Sequence, residues 1–499
     1  MTKPEVVAPA DVSETGASPL GTRAGATEPV LVVDLDGTLC LTDTLHENII
    51  GLVARRPAAL PGLIAALLRG KAAFKRRVAA GHVTAGHALP YNEEVLALAN
   101  RAREEGRRVV LVSASDQAQV DAVAEHLGLF DEAFGTGGAG VEGNLGGRGK
   151  AAFLVGRYGR GGFDYVADGR VDLPVWTEAR RAITAGASPA VRRALDAVHA
   201  DTLHLGPSGG RMRALLKALR PHQWSKNLLV FLPMLAAHEL GALPAAVAAF
   251  LAFCLTASSV YLLNDLVDLE ADRAHPRKRF RPFASGRLPV AWGMVLAPAL
   301  LAGAAVIALV WTPPAFLAAL VAYYAVTFAY SFWLKRKALV DVMTLAGLYT
   351  ARIIAGAAAT ALPLSPWMLG FSMFLFLALA AVKRQAELAQ QAEGRKTAGR
   401  GYETSDLPLL REMAIASGFA AVLVFALYIS SEDVLRLYSR PEALWLICPL
   451  LLYWIGRMVL MTHRGFMDDD PIVFAARDWP SRLTVLISVA VVIGAGVWP

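Results

Sequence analysis

The stretch N-D-L-V-D-L-E-A-D at residues 264–272 decides how the rest of the chain is read. Asp265, Asp268 and Asp272 stand at i, i+3 and i+7, which on a helix places three carboxylates within about 60° of one another. Like charges stacked this way repel unless a cation lies between them. An oxygen-only ligand set suits Mg2+, which keeps waters and bridges to phosphate. Basic residues follow at once: Arg273, Arg277, Lys278, Arg279, Arg281 and Arg287. Such a cluster suits a multiply charged phosphate ligand. The competing reading is a solvated charged loop between two apolar helices. Acidic side chains at a membrane boundary are costly, however, and mark function more often than not.

Working outward, the 499 residues are too many for one domain. Residues 1–220 have a soluble protein's mix, and 224–499 are a series of apolar runs of membrane-crossing length. Nine such segments are expected, near 224–240, 243–263, 290–311, 314–334, 338–360, 365–382, 411–431, 440–461 and 481–498. The loops after the second, fourth, sixth and eighth hold nearly all the Lys and Arg of this half. By the positive-inside rule those loops and the N-terminal half face the cytoplasm of a bacterial-type inner membrane, with the C-terminus outside. A formal net charge of +7 fits such a protein with anionic substrates. The basic residues are scattered among loops rather than aligned in one stripe, which argues against nucleic acid. The three cysteines (Cys40, Cys254, Cys448) show neither metal spacing nor a disulfide framework. Residues 1–28 lack an apolar core and read as a disordered tail.

In the soluble half the apolar run before Asp34 suits a buried parallel strand, with D-L-D-G-T-L-C at 34–40 on its C-terminal end. A basic, Ala/Leu-rich helical region follows at about 45–80, then a helix at about 93–105. A second apolar strand at 108–115 ends in hydroxyls, and Lys150 opens a helix after a Gly-rich stretch. F-D-Y-V-A-D-G-R-V-D at 163–172 reads as a third strand ending in two aspartates four residues apart, Asp168 and Asp172. Strands alternating with helices, with the chemistry at strand ends, predict a doubly wound α/β sheet. Residues 174–200 add a further strand and helix, 203–210 read as a Gly/Pro linker, and 211–220 as a basic amphipathic helix on the membrane surface. The expected organisation is a tail (1–28), an α/β domain (29–200), a linker with juxtamembrane helix (201–222) and an all-α membrane domain (223–499).

Four separated motifs over about 29–200 resemble the haloacid dehalogenase superfamily of phosphohydrolases. The resemblance implies that Asp34 is the nucleophile and Asp36 the general acid/base. It implies that Ser113 binds the phosphoryl group and Lys150 neutralises it, and that Asp168 and Asp172 join Asp34 and Asp36 around Mg2+. The chemistry is coherent: a carboxylate attacks phosphorus, an acid protonates the leaving oxygen, and metal and ammonium offset the charge. The last motif reads Ala167-Asp168-Gly169 where the family has Gly-Asp-Ser/Asp, but both aspartates are present. The short helical insertion after Leu39 is a small cap; its segment 62–80 either packs on its own domain or lies on the membrane. A phosphatase fold kept only as scaffold is the alternative.

In the membrane half, R-P-H-Q-W-S-K-N (220–227) brings Lys226 and Asn227, and Y-S-F-W-L-K-R-K-A-L-V-D (330–341) brings Lys335 and Asp341. Arg352 lies within an apolar segment, Lys383 and Arg384 follow another, and D-D-P-I-V-F-A-A-R-D (469–478) precedes the last. Together with Asn264, Arg277, Lys278 and Arg281 they describe a Mg2+–diphosphate pocket open to cytosol and lipid. Residues 212–499 resemble the UbiA superfamily of intramembrane prenyltransferases, with 264–272 matching its first aspartate-rich motif. Asp341 fits the start of the second motif, but the position four on is Leu345. The flanking motifs resemble the branch that makes polyprenyl-phosphate phosphoribose. That resemblance implies phosphoribosyl pyrophosphate as donor and a polyprenyl phosphate as acceptor. The fusion and the shared face of the membrane lead to the further expectation that the phosphatase-like half removes the 5-phosphate from the product. His222 and His275 read as phosphate contacts rather than metal ligands. Transfer of a prenyl group from its diphosphate to an aromatic acceptor, and a lipid-binding or transport protein with a regulatory phosphatase, remain the alternatives.

Overall fold

A computed structural model describes residues 29–141, 143–206, 210–389, 401–467 and 470–497. The tail 1–28, the linker residues 207–209, the basic stretch 390–400, and Asp468 and Asp469 lie outside them. The chain forms two compact units, Met1–Leu39 with Asn92–Ser208 and Cys40–Tyr91 with Gly209–Pro499. The helical insertion after Leu39 therefore groups with the membrane helices and not with the sheet that it interrupts in sequence.

The sheet unit has six parallel strands: β1 (Val30–Val33), β2 (Val109–Asp116), β3 (Glu132–Thr136), β4 (Phe163–Ala167), β5 (Arg181–Ala185) and β6 (Thr202–Leu205), in the order β3-β2-β1-β4-β5-β6. β1 is buried along its whole length, as suits a short apolar run flanked on both sides. Its Leu31 pairs with Val109 of β2 and with Asp164 of β4. The chain builds one half of the sheet through β3 and then returns to build the other, so the strand order reverses between β1 and β4. In open α/β sheets ligands bind at that reversal, beyond the strand C-termini. Two strands escape the sequence pattern. β3 holds one fully buried residue, and β6, at the sheet edge, takes in part of the 203–210 segment expected as linker.

Within the other unit, α1 (Thr44–Arg55), α2 (Leu60–Leu68) and α3 (Lys71–Gly81) close around Leu52, Leu63 and Val78. Asn48 Oδ1 ties α1 to the Thr84 amide at 2.8 Å. Ile64, Leu67 and Leu68 point outward and are exposed. Helix Arg211–Leu219 sets Ala214 and Ala218 against Leu262 and Leu266, leaving Met212 and Leu216 exposed.

Eight helices among the described residues are long and apolar enough to cross a membrane: Leu240–Val267, Val290–Trp311, Pro314–Phe332, Val340–Thr360, Pro366–Ala389, Thr404–Ile429, Pro441–His463 and Trp479–Gly496. The ninth expected segment, 224–240, is different. Pro221–Phe231 is a 3-10 helix, Leu232–Ala236 a short α-helix, and Leu240 already opens the next long helix. Pro233, within the expected span, removes a backbone donor, which favours a break there over one continuous helix. Small residues such as Ala246, Ala249 and Ala252 lie buried along Leu243–Val267 and let neighbouring helices approach closely.

Candidate active sites

In the sheet unit, residues far apart in sequence meet at the strand reversal. Asp34 follows β1, Asp168 and Asp172 follow β4, and their carboxylates offer oxygens within 4.8 Å of one another. Lys150, from helix Arg148–Tyr158, donates to Asp34 Oδ1 at 2.7 Å and to the Tyr165 hydroxyl at 2.9 Å. Tyr165 in turn donates to Asp172 Oδ1 at 2.9 Å. Asp36, expected as a fourth carboxylate on the metal, stands outside this trio. Its Oδ2 accepts from Ser115 Oγ at 2.6 Å and from Ser113 Oγ at 3.3 Å, so the end of β2 holds it. Gly37 has a φ of +76°, and a Cβ there would lie 2.6 Å from Asp168 Oδ2. Only glycine lets the turn after β1 come this close to the acidic pair.

Three carboxylates against one ammonium leave a surplus of negative charge, and oxygen-only donors suit a hard divalent cation, so Asp34, Asp168 and Asp172 fit Mg2+. Burial pushes the Asp34 carboxyl from 3.8 up to about 7, against the pull of Lys150 and with repulsion from Asp172 and Asp36. A folded-state pKa raised in this way gives stability that is fully present below the unfolded value and is lost as pH rises toward 7. With chelator present, the melting temperature of the sheet unit is therefore expected to fall between about pH 4 and pH 7. Mg2+ is expected to restore it, most strongly at the upper end, because metal binds the ionised form. Calorimetry of the full chain at stepped pH, with EDTA or Mg2+, reads both effects. A metal effect independent of pH over that window would contradict the assignment.

In the helical unit the aspartate stretch does not continue as one helix. Helix Leu243–Val267 ends at Asp268, and the short helix Leu269–Ala274 begins after it. Asp265 and Asp272 are nevertheless joined through a third group, because Arg281 donates to Asp272 Oδ2 at 2.7 Å and to Asp265 Oδ1 at 3.2 Å. Arg220 donates to the same Asp265 Oδ1 at 2.5 Å and stacks over the Tyr261 ring at 4.8 Å. Arg220 adopts a left-handed backbone (φ 52°) directly before Pro221. Such a conformation is uncommon for a non-glycine residue and persists only where its surroundings enforce it. The other oxygen, Asp265 Oδ2, is buried without a hydrogen-bond partner among the described residues. Among the described residues Asp265, Asp268 and Asp272 do not bring three carboxylate oxygens within 4.8 Å of one another, so the expected trio is not gathered as the sheet unit's is, because the helix breaks at Asp268 and Arg281 lies between Asp265 and Asp272. The orphaned carboxylate oxygen next to two guanidinium groups still suits a cation-bound anion. Burial raises the Asp272 carboxyl, and Arg281 opposes that rise.

A second polar group lies along the helices. Arg352 is buried and donates to Asn227 Oδ1 at 2.9 Å and to the Tyr323 hydroxyl at 2.7 Å, with its guanidinium 5.5 Å from the Tyr349 ring. Lys226 pairs with Asp470 and lies 6.0 Å from the same Tyr349 ring. Among the described residues, Lys226 is the one charged residue lining an apolar groove of about 350 Å³, whose walls include Leu229, Leu232, Leu375, Phe376 and Trp454. Lys383 is half-buried on its helix.

Other expected residues sit differently. Asp341 is fully buried against Arg384, which also reaches Glu387, and Tyr330 donates to Asp341 at 2.9 Å. Neither side chain could serve a ligand without breaking this pair. Leu345 packs in the cluster of Val342 and Phe376, so the second acidic position is core. Asn264 donates to Ser331, Lys335 is half-buried on a short 3-10 turn, and Arg277 and Lys278 are exposed on the loop. His275 accepts from the amides of Arg277 and Lys278 and so shapes that loop.

A sheet unit with a Lys-paired aspartate and a unit of long apolar helices holding carboxylates and guanidinium groups make up a membrane enzyme with two candidate sites. The chain belongs to the UbiA prenyltransferase family, matched over residues 228–477, and carries a haloacid dehalogenase-like hydrolase domain matched over 31–177. It is 39% identical over 456 residues to the "Uncharacterized protein y4nM" of Sinorhizobium fredii, covering 90% of this chain and 87% of that one. Over 304 residues it is 39% identical to the decaprenyl-phosphate phosphoribosyltransferase of Mycolicibacterium smegmatis, covering 59% of this chain and 95% of that one. The structure of a UbiA homolog from Archaeoglobus fulgidus bound to DMAPP and Mg2+ covers 56% of this chain and 99% of its own, at 17% identity and a TM-score of 0.44.

Proposed function

We propose that the helical unit transfers 5-phosphoribose from phosphoribosyl pyrophosphate to a polyprenyl phosphate. The sheet unit then removes the 5-phosphate from the lipid-linked product. The observation that carries this reading is the buried Oδ2 of Asp265, which has no hydrogen-bond partner among the described residues, beside Arg220 and Arg281. Asp265 and Asp272, with Asp268 at the helix break, would hold Mg2+, which when bound supplies positive charge to the diphosphate. Arg220 and Arg281 are placed to stabilise the charge that grows on the leaving diphosphate as the bond from ribose C1 to oxygen breaks. The acceptor phosphate oxygen, already anionic, forms the new bond to C1 without a general base. Lys226, beside the apolar groove, suits a phosphate whose hydrocarbon tail lies along Leu229, Leu232 and Phe376. Phosphoribose is favoured over a prenyl donor by the likeness to the phosphoribosyltransferase and by the packing of Leu345, which leaves the second acidic motif incomplete.

In the sheet unit Asp34 attacks the phosphomonoester, Lys150 balances the charge, and Asp36, held by Ser115 and Ser113, gives a proton to the departing oxygen. Both sites would face the cytoplasm of the inner membrane. This topology needs the chain to cross near 221–236, and the 3-10 rise of about 2 Å per residue stretches that short segment to roughly the 30 Å of a hydrocarbon core. Release of diphosphate from phosphoribosyl pyrophosphate only when a polyprenyl phosphate is supplied tests the transfer. Equal release without the lipid would contradict it.

A further inference from the structure

Glu47, on α1 of the insertion, is almost wholly buried, and so is its partner Arg273 (side chains 3% and 9% exposed). Arg273 directly follows Asp272 in the chain, and each of its three guanidinium nitrogens is engaged. It donates to Glu47 Oε1 at 2.5 Å and Oε2 at 3.0 Å, to the Ala88 carbonyl of the insertion at 2.8 Å, and to the Ala284 carbonyl at 3.0 Å. Ala284 lies in the loop 278–288, which also carries Arg281. That loop folds back on itself through Ser285 N to Arg281 O and Leu288 N to Pro282 O. Two further contacts press the insertion onto the same loop. Gly286 has φ +69°, and a Cβ there would fall 2.4 Å from Leu41 Cβ. Ile50 of α1 packs into the cluster formed by Phe283, Leu262 and Leu266. A second ion pair, Arg55 with Glu270 at 2.7 Å, is half-exposed.

These contacts are more than a surface attachment. A two-pronged bond to a buried carboxylate fixes a guanidinium in direction as well as position. Arg273 thereby locks the chain on one side of Asp272, and through Ala284 it locks the loop that delivers Arg281. We propose that the 40–91 insertion is part of the transferase's scaffold. Glu47 is a positioning residue that acts through Arg273 to hold Arg281 between Asp265 and Asp272. The inference rests on the diphosphate reading of that site only for its effect on ligand binding. The positioning itself can be measured without ligand.

The test uses the full chain in detergent, as wild type and as Glu47→Gln, a near-isosteric change that removes the charge and keeps an acceptor. Hydrogen exchange over 278–288 is expected to speed up at least tenfold in the variant. Affinity for inorganic pyrophosphate with Mg2+, measured by calorimetry, is expected to weaken at least tenfold while the melting temperature stays within a few degrees. Arg55→Ala, which breaks the exposed pair on the same surface, is expected to change neither by more than twofold. Unchanged exchange over 278–288 in Glu47→Gln overturns the proposal, and so does unchanged pyrophosphate affinity when the wild type binds it. A loosened loop in a protein whose wild type binds no pyrophosphate supports the positioning role and removes the diphosphate reading instead.

Discussion

Asp265→Asn is expected to lower the transferase kcat/KM by about 10³-fold, or about 4 kcal/mol of transition-state stabilisation, with little change in folding. The carboxylate is 2% exposed, so water offers its neighbours no substitute for the lost charge. Its Oδ1 holds Arg220 and Arg281, and an amide oxygen can still accept from both. The change therefore falls on Oδ2, the oxygen with no hydrogen-bond partner among the described residues. An amide nitrogen there carries two protons toward the space that a cation would fill, and the two guanidinium groups lose the negative charge that balances them. The loss should appear in the transfer step while hydrolysis of a soluble phosphomonoester by the same preparation stays at the wild-type level. That second activity checks folding of the sheet unit, and an unchanged melting temperature checks that of the helices.

Asp34→Asn gives the complementary result. Phosphatase activity is expected to fall by about 10⁴-fold or more, because an amide cannot form the phosphoryl-enzyme intermediate. Lys150 keeps its place through Tyr165 and Asp172, so the substitution leaves the site assembled but without a nucleophile. With both substrates supplied, the variant should accumulate lipid-linked phosphoribose 5-phosphate, which the wild type converts to the dephosphorylated lipid. Thin-layer separation of the labelled lipids reads the difference. If the phosphorylated lipid accumulates equally in both proteins, the sheet unit acts on something else.

Much of this arrangement is legible in the chain. An apolar run ending in D-L-D-G-T can hardly be anything but a buried strand delivering carboxylates, and Asp34 meets Lys150 from 116 positions away. The apolar lengths after 240 are likewise unambiguous, because a hydrocarbon core imposes a minimum length on every crossing. What the chain hides depends on partners. β3 and β6 show no clear alternation, because strands near a sheet edge bury few side chains. The break at Asp268 is hidden because the i, i+3, i+7 spacing fits a straight helix equally well. The segment 224–240 reads as an ordinary span by hydropathy, yet Pro233 favours a break within it. Asp341 has the spacing of a ligand-facing aspartate, and only the fold reveals Arg384 closing over it. The bond between Glu47 and Arg273 spans 226 positions, and nothing local to either residue announces the other. Arg220 stands in a motif that can be read, but its role at Asp265 follows from a strained backbone that cannot.

The central claim concerns the donor and the acceptor. The direct measurement incubates the purified full-length Asp34→Asn chain, in vesicles containing a polyprenyl phosphate, with ribose-labelled phosphoribosyl pyrophosphate and Mg2+. Label is expected to enter the lipid fraction together with an equal amount of released diphosphate, and neither product is expected when Asp265 is also replaced. No label in the lipid, with the same protein instead joining a prenyl group from its diphosphate to an aromatic acceptor, would contradict it.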